Sequence, residues 1–321
     1  MRSINTLLIA VALAAAANAT AQNYPTRSIR IIVVSTPGGS VDTMARTVGP
    51  KLADRWGQQV LVDNRPGAGG AIAAELVAKA PPDGYTLIMG TVASFATNVS
   101  LRKSLPYDPV KDFVPISLVA TQNLMLLVHP SVPSKSVKEL VALAKKQPGK
   151  LAFASAGNGT GGHLSGELFK MLANVDLLHV PYKGVQPALI DVVSGQVSMT
   201  FASIISAMPQ VTNNRLRPLA VTGAQRSPAA KELPTMIEAG VKGYESATWY
   251  GLLAPAGTPA DIVNKLNTEV VAILKSPEMY ERLSREGADP VGNSSAEFAK
   301  YIQSEIEKWR KVIRAAGIAP S

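Results

Sequence analysis

The sequence contains no cysteine among its 321 residues, only three histidines, and few aromatic side chains. Without cysteine there is no disulfide framework, no thiol nucleophile and no lipid-anchoring thiol. The histidines, His129, His163 and His179, lie far apart in the sequence without partners at metal-ligand spacing, so we expect no metal site. We interpret His129 and His179 as structural, because one stands at a strand end and the other inside a strand.

The composition also argues against nucleic acid as a partner. Aromatic residues make up 5% of the chain, too few for a surface on which bases stack, and the net charge of +9 is scattered along the sequence. A basic field of this kind favours encounter with an acidic small molecule, although it also fits a simple solubility role.

The apolar run LLIAVALAAAA, residues 7–17, is too short for a membrane-spanning helix, which needs roughly 20 residues. It follows Arg2 and precedes Ala19-Thr20-Ala21, which fits an A-x-A cleavage site. This layout predicts a signal peptide over residues 1–21, cleaved near Ala21. We therefore expect a mature chain that is soluble in the periplasm.

Short β-rich segments alternate with helical patterns from Ile29 onward. The strand IRIIVV precedes a helix with apolar residues at helical spacing, namely Val41, Met44, Ala45, Val48, Leu52 and Trp56. The strands QQVLVDN and YTLIMG follow, and a second alternation of the same kind starts after about residue 121. A βαβαβ order predicts parallel strands with right-handed crossovers. The chain is therefore expected to be an α/β protein with two lobes.

Gly157, Gly159 and Gly162 stand in the spacing G-x-G-x-x-G between an apolar run and a helical pattern. A dinucleotide site would also need an acid at the C-terminal end of the next strand. That strand, LLHVPY, has its nearest acid, Asp176, at its start instead. The loop therefore favours an anion held by backbone N–H groups at a helix N-terminus.

Two further segments repeat this pattern in the first half of the chain. STPGGSVD, residues 35–42, places Gly-Gly between a strand and a helix, and Gly90, Thr91 and Ser94 follow another strand. The carboxyl ends of strands in α/β sheets commonly form a ligand site. Two lobes could thus hold an anion from both sides; tight turns without a ligand are the alternative.

Catalytic motifs are missing from the sequence. It has no G-x-S-x-G elbow, no Walker loop and no H-E-x-x-H, and its hydroxyl groups stand beside no evident general base. An exported enzyme acting on a carboxylated substrate is therefore the weaker alternative to a binding protein. No cofactor is expected.

Six segments together resemble the periplasmic solute-binding proteins of tripartite tricarboxylate transport systems, also called Bug receptors. The resemblance runs in order over essentially the whole mature chain. The segments are YPTRSIRIIVVSTPGGSVDTMAR, LVDNRPGAGGAIAAELVAKAPPDGYTLIMGT, LPYDPVKDFVPISLVA, ASAGNGTGGHLSGELF, VPYKGVQPALIDVVSGQVSMTF and TWYGLLAPAGTP.

The resemblance implies a two-lobed Venus flytrap fold in which each lobe is a mostly parallel sheet flanked by helices. It assigns residues 22–121 and 245–321 to lobe 1 and residues 122–244 to lobe 2. Such receptors close on an organic anion, usually a carboxylate, and hold it largely through backbone N–H groups, hydroxyls and waters. The positions expected at the ligand are Ser35, Thr36, Gly38, Gly39, Ser40, Asp42, Thr91, Ser94, Ser155, Gly157, Asn158, Gly159, Thr160, His163, Tyr182, Phe201 and Ala202.

Two of these positions have a second interpretation. Asp42, in the first turn of its helix, is better explained as support for that helix N-terminus than as a general base. His163 could reach the ligand or a water, or it could simply pack locally.

The chain departs from the family pattern at two places. Ser35-Thr36 stands where Pro-Phe is common, and Ser198 and Ala202 stand where acids are common. A missing carboxylate removes a partner for an ammonium group. We therefore expect a ligand without an amino group, such as an aliphatic or aromatic mono- or dicarboxylate.

By resemblance, a monomeric receptor would deliver its ligand to an inner-membrane permease of the tripartite tricarboxylate type. A receptor that signals to a sensor protein is an alternative that no residue excludes.

Overall fold

The computed structural model of the chain describes residues 24–35, 37–182, 185–285 and 287–320. The predicted signal peptide and Thr36 lie outside the described residues and stay predictions. Within the described ranges, each helix is too short or too polar to span a bilayer.

The first part of the chain forms a parallel three-stranded unit. β1 pairs in parallel with both β2 and β3. Four of the five β1 residues are completely buried, which accounts for the apolar run IRIIV. A π-helix over Ala93–Thr97 follows β3 and continues into α3. The elements are β1 (Ile29–Val33), α1 (Ser40–Trp56), β2 (Val60–Asn64), α2 (Ala71–Ala78), β3 (Thr86–Thr91) and α3 (Asn98–Leu101).

Strand β4 (Phe113–Val128) is 16 residues long and nearly continuously buried. The sequence indicates a strand only in its last part, LMLLVH. Pro115 and the polar residues Ser117, Thr121 and Gln122 interrupt the apolar pattern before it, so the first ten residues give no clear strand signal. Tertiary pairing on both sides overrides that weak local preference.

A second α/β unit follows β4. β5 pairs in parallel with β6 and β7, as the βαβ order predicts. The elements are α4 (Val137–Lys146), β5 (Ala152–Ser155), α5 (Gly161–Ala173), β6 (Leu178–Pro181), α6 (Val185–Val193), β7 (Met199–Ser203), α7 (Ile204–Thr212) and β8 (Arg217–Val221).

The last part of the chain returns to the first unit. β9 pairs antiparallel with β3 on one side and with β4 on the other, and β10 also pairs with β4. The elements are β9 (Ala247–Pro255), α8 (Ala260–Leu274), α9 (Pro277–Arg285), β10 (Asp289–Pro290) and α10 (Ser295–Ala315). The strands of the βα units are thus parallel, whereas the returning strands are antiparallel.

β4 belongs to both sheets, and this joins the two lobes. It pairs with β9 as far as Asn123 and with β7 and β8 from residue 124 or 125 to Val128. The strand order is therefore β2-β1-β3-β9-β4-β7-β5-β6. The division of the chain at residues 121 and 245 stays a prediction.

Helix α10 fastens the C-terminal part of the chain to the lobes. Its predicted capping box is confirmed, since the Ser294 side chain accepts from the Glu297 N–H and the Glu297 side chain accepts from the Ser294 N–H. The buried carboxylate of Glu305 accepts from the indole N–H groups of Trp249, at 3.1 Å, and Trp309, at 3.0 Å. Lys308 forms an ion pair with the same carboxylate.

We expect Glu305→Ala to lower the free energy of unfolding by about 3 kcal/mol, because it leaves two buried indole N–H groups without an acceptor. Urea denaturation measures this loss. Glu307→Ala removes an exposed carboxylate from the same helix and should stay within about 0.5 kcal/mol of wild type. Equal stability of the two variants would contradict the role given to Glu305.

Candidate anion-binding cleft

The loop after β1 turns into α1 through Gly38 and Gly39. Gly38 has a φ of +79°, a conformation that favours glycine, and its N–H donates to Asp42 Oδ2 at 2.9 Å. Asp42 is 3% exposed, and its carboxylate also accepts from Arg46 Nε at 3.0 Å and Asn64 Nδ2 at 2.9 Å. Asp42 therefore holds the shape of the loop.

Burial of the Asp42 carboxyl opposes ionisation, but the hydrogen bonds from Gly38, Arg46 and Asn64 outweigh it and hold its pKa below the usual range. The carboxylate is thus charged and fully engaged within lobe 1. This supports its interpretation as a residue that stabilises the helix N-terminus, while contact with a ligand stays a prediction.

Ser40 connects the same loop to the strands that join the lobes. Its side chain hydrogen-bonds to Tyr250 of β9, and the Tyr250 hydroxyl donates to Gln122 Oε1 of β4 at 2.6 Å. Burial raises the pKa of Tyr250 to about 12, although the bond from Ser40 works against this shift. The first loop is therefore hydrogen-bonded to the paired strands β4 and β9.

The loop after β5 has a similar backbone path. Gly157 and Gly159 have φ values of +130° and +76°, and Thr160 is the N-cap of α5. The Gly159 N–H donates to His163 Nδ1 at 2.9 Å, and the Thr160 hydroxyl donates to the Gly157 carbonyl at 2.7 Å. The predicted G-x-G-x-x-G loop is thus a tight turn into a helix.

The two loops share one hydrogen bond in equivalent positions. In each, the N–H before the N-cap donates to the side chain of the third helical residue, Asp42 in α1 and His163 in α5. The first intrahelical bonds start one residue later, at the N–H groups of Thr43 and Leu164. The N–H groups of the first turn lack intrahelical acceptors, so each helix N-terminus can bind an anion.

His163 and His179 form a stacked pair that sequence spacing does not indicate. Their ring centroids lie 3.9 Å apart, and Phe153 stacks on His179 at 4.8 Å. The parallel register of β5 and β6 produces this pair, since it places His179 opposite Phe153. His179 Nε2 lies 2.7 Å from Ser155 Oγ, so the stack supports the second loop from beneath.

Both imidazoles are neutral at pH 7. Burial is the main cause that lowers the pKa of each histidine to about 4. The charges of His179 and Lys170 lower the pKa of His163 further, and the charge of Lys170 lowers that of His179. Nδ1 of neutral His163 accepts the Gly159 N–H, which places its proton on Nε2. In the described part of the chain, no three potential metal-ligating side chains of His, Asp or Glu lie close enough together to hold a metal ion.

The loop after β3 is more enclosed than the other two. Ser94 has no exposed surface, and its hydroxyl donates to the Thr91 carbonyl at 3.2 Å and accepts from the Thr91 N–H at 3.0 Å. Thr91 is 7% exposed. Ser94 therefore shapes the turn and has no surface for a ligand in this conformation.

The remaining predicted positions support the second loop. The Tyr182 hydroxyl donates to Asp191 at 2.6 Å, and the Tyr182 N–H donates to the Ser155 carbonyl at 2.9 Å. Phe201 and Ala202 are buried in the core of lobe 2. A Cβ at Gly162 would lie 2.6 Å from the Phe201 carbonyl oxygen, so only glycine allows α5 to pack this closely against β7.

The second loop faces lobe 1 across the cleft. A Cβ at Gly159 would lie 2.8 Å from Leu101 Cδ1, whereas the hydrogen bonds of Gly38 and Asp42 given above stay within lobe 1. A cavity of about 440 Å³ lies here between Asn158, Gly159 and Thr160 on one side and the segment from Thr97 to Arg102 on the other. The sequence does not indicate this wall from lobe 1, because the segment from Thr97 to Arg102 carries no recognisable binding motif.

Two lobes joined by the shared strand β4, with a cavity where they meet, are an architecture suited to binding a small molecule. Comparison with known proteins gives the family. The family model of the tripartite tricarboxylate transporter family receptor, TctC, matches residues 44–318. The chain therefore belongs to this receptor family.

Relatives and solved structures agree with that assignment. Protein BugT of Bordetella pertussis is 36% identical over 303 residues, which cover 94% of this chain and 93% of BugT. The structure of R. palustris Rpa4515 with adipate matches with a TM-score of 0.79 at 42% identity, covering 93% of this chain and all of that chain. MatC from Rhodopseudomonas palustris with bound malate matches with a TM-score of 0.73 at 34% identity, covering 90% and 100%.

These likenesses confirm the predicted two-lobed fold and the resemblance to Bug receptors. The chain is a solute-binding protein of a family of periplasmic binding proteins.

We expect stability to fall by about 2 kcal/mol between pH 7 and pH 4.5 through the histidine pair alone, after allowance for solvent screening. The folded pKa values of about 4 lie below the unfolded value of 6.5, so unfolding takes up protons in this window. The contribution is complete above pH 6.5 and is lost as the pH falls towards 4.

Urea denaturation of wild type and His163→Asn/His179→Gln at both pH values measures this contribution. The variant keeps an acceptor in place of Nδ1 of His163 and an amide that can donate or accept in place of Nε2 of His179, and it should lose less stability on acidification. His129→Gln changes a histidine outside the stack and should keep the wild-type difference. The same difference in all three proteins would contradict the assignment.

Proposed function

We propose that the chain binds an organic carboxylate between its two lobes and delivers it to an inner-membrane permease. The observation that carries this proposal is the matched pair of helix N-termini, each with its turn locked by a bond to the third helical residue. A locked turn keeps the free N–H groups of the first helical turn in place before a ligand arrives, which lowers the entropy cost of binding.

A carboxylate suits these helix ends better than a pyrophosphate. The titratable residues described in the two loops are Asp42, which forms an ion pair with Arg46, and His163, which is neutral. These loops therefore present no cationic side chain to a polyanion. Two helix dipoles supply partial positive charge, which matches one carboxylate group. The adipate and malate complexes of the relatives support this ligand class.

The ligand should lack an amino group. Ser198 and Ala202 stand where the family commonly has acids, and Ala202 is buried in lobe 2. The Ser198 hydroxyl accepts from the Ala152 N–H at 3.3 Å. Neither position can therefore offer a carboxylate to an ammonium group.

Isothermal titration with matched ligand pairs tests this proposal. Succinate and aspartate differ by one amino group, as do butyrate and 4-aminobutyrate, and we expect the plain acid of a bound pair to bind at least tenfold tighter. An amino acid that binds as tightly as its plain counterpart would show the ammonium expectation to be wrong. If no carboxylic acid bound at millimolar concentration, the ligand class itself would be wrong.

A measurement in cells distinguishes delivery to a permease from signalling. A strain lacking this chain should lose uptake of the ligand found by titration, whereas a sensor role would change gene expression and leave uptake intact. Periplasmic location, cleavage near Ala21 and a monomeric state belong to the same proposal, and N-terminal sequencing and light scattering of the secreted protein test them. Product analysis after incubation with the ligand tests the weaker alternative, an enzyme.

A further inference from the structure

A groove lies between helix α10 and the segment from Arg102 to Asp112, outside the cavity between the lobes. Its volume is about 730 Å³, and Ile306 and Arg310 line it from α10. A second cavity, of about 450 Å³, continues along α10, and Arg310 lines both. We call this combined surface the α10 groove. The proposed function gives it no role.

Basic side chains border the α10 groove. Lys103, Arg310, Lys311 and Arg314 are all exposed. Among the residues that the structure describes, none of these four side chains forms an ion pair or a hydrogen bond. The groove therefore carries positive charge that is available to a partner.

The acids of the groove do not neutralise this charge. Asp108 accepts from two backbone N–H groups of its own turn at 2.9 and 3.1 Å, and Asp112 accepts from the Asp108 N–H at 2.7 Å. These two carboxylates therefore shape the turn before β4. Glu307 stands four residues before Lys311, a spacing that favours an ion pair, but the contacts of the described residues include no such pair.

The arrangement of cations on α10 costs stability. Arg310 and Arg314 stand four residues apart, a spacing at which like charges destabilise a helix. A basic residue in the last helical turn interacts favourably with the helix dipole, which accounts for Arg314. The dipole does not account for Lys311, which precedes the last turn, or for Lys103, which lies outside the helix. An acidic partner would offset the repulsion.

The α10 groove also offers apolar surface. Val110 is 45% exposed, and the half-buried side chains of Val99 and Leu105 line the groove beside buried Ile306. A partner that uses both kinds of surface carries acidic and apolar side chains together. An extended peptide segment can enter such a groove, whereas a flat membrane surface would contact only its rim.

The groove adjoins the cavity between the lobes. Arg102 lines the groove and also the cavity of about 440 Å³ described above. Ile318 and Ala319, which follow α10 in the chain, line that cavity as well. A partner seated in the groove would therefore lie beside the place where the proposed ligand binds.

We infer that the α10 groove binds an acidic, partly apolar segment of a protein partner. The inference rests on the proposed function, which supplies such a partner in the permease, and it adds the surface through which the two proteins would meet. Charge complementarity carries the choice of partner, because exposed cations around a concave apolar floor match a segment in which acidic and apolar side chains alternate.

Binding of a labelled peptide tests the surface directly. The probe is a fluorescein-labelled peptide of six glutamates and two leucines, and its control peptide has glutamine in place of glutamate. Fluorescence anisotropy should show at least tenfold tighter binding of the acidic peptide, and added NaCl should weaken that binding. Arg310→Gln/Lys311→Gln should weaken it roughly tenfold, because half of the four exposed cations are lost.

Two matched controls separate the groove from the rest of the surface. Lys145→Gln/Lys146→Gln removes two exposed cations from the last turn of α4 and should bind the acidic peptide as wild type does. Val110→Ser should weaken the peptide roughly threefold through lost apolar contact. Val185→Ser changes a valine of similar exposure, 38%, outside the groove and should have no effect.

Uptake in cells tests the partner. Arg310→Glu/Lys311→Glu should bind the acid found by titration as wild type does, because both residues lie outside the cavity between the lobes. Its uptake of that acid should nevertheless fall at least tenfold, since the groove would repel an acidic segment. Lys145→Glu/Lys146→Glu is the control and should keep wild-type uptake.

The outcomes separate the two proposals. Equal peptide binding by wild type and Arg310→Gln/Lys311→Gln, or unchanged uptake with Arg310→Glu/Lys311→Glu, would overturn the α10 groove as the partner site while ligand binding stands. Failure of wild type to bind any carboxylic acid would overturn the proposed function, and the peptide measurement would still decide on the groove. Cosedimentation of wild type, but not of Arg310→Gln/Lys311→Gln, with phosphatidylglycerol vesicles would make a membrane surface the partner and overturn the choice of a protein segment.

Discussion

The backbone pairing of β4 is the constraint on which the rest of the structure depends. Because β4 is hydrogen-bonded to β9 in one sheet and to β7 and β8 in the other, neither lobe has a complete sheet without it. Buried backbone N–H and C=O groups must stay paired, so the ladder holds both lobes to one strand. Any change in the angle between the lobes must therefore occur at the point where β4 changes its pairing partners.

Side chains fix β4 where it passes from one sheet to the other, near Asn123 and Leu124. Gln122 accepts the Tyr250 hydroxyl, Asn123 Nδ2 donates to Asp289 at 3.0 Å, and the Leu124 N–H donates to Thr222 Oγ1 at 2.8 Å. A Cβ at Gly223 would lie 1.9 Å from Asn123 Oδ1, so only glycine allows the chain to pass here. Burial raises the pKa of Asp289 to about 6, so a titratable group lies beside the point where β4 changes partners. The joint between the lobes is therefore polar and closely packed.

The two glycine-rich turns reach one geometry by different chemistry. Asp42 brings a charge that needs Arg46 and Asn64 as partners, whereas His163 is neutral and is supported by stacking on His179. A negative side chain in the first helical turn offsets the positive end of the helix dipole, and a neutral one does not. The α5 N-terminus therefore has no charged side chain at this position, unlike that of α1, and it also adjoins the cavity lined by Thr97 and Arg102.

The amino-acid sequence by itself determined the elements with strong local signals. The apolar period of α1, the capping box at Ser294 and the glycine-rich turns after β1 and β5 depend on neighbouring residues alone, so they could be predicted. The equivalent positions of Asp42 and His163 could also have been predicted, because each residue stands three residues after the N-cap of its helix. The tertiary structure decided the length of β4, the pairing of His163 with His179 and the cavity at Arg102. These features arise from strand register and from the approach of segments distant in sequence, and no local pattern encodes either one.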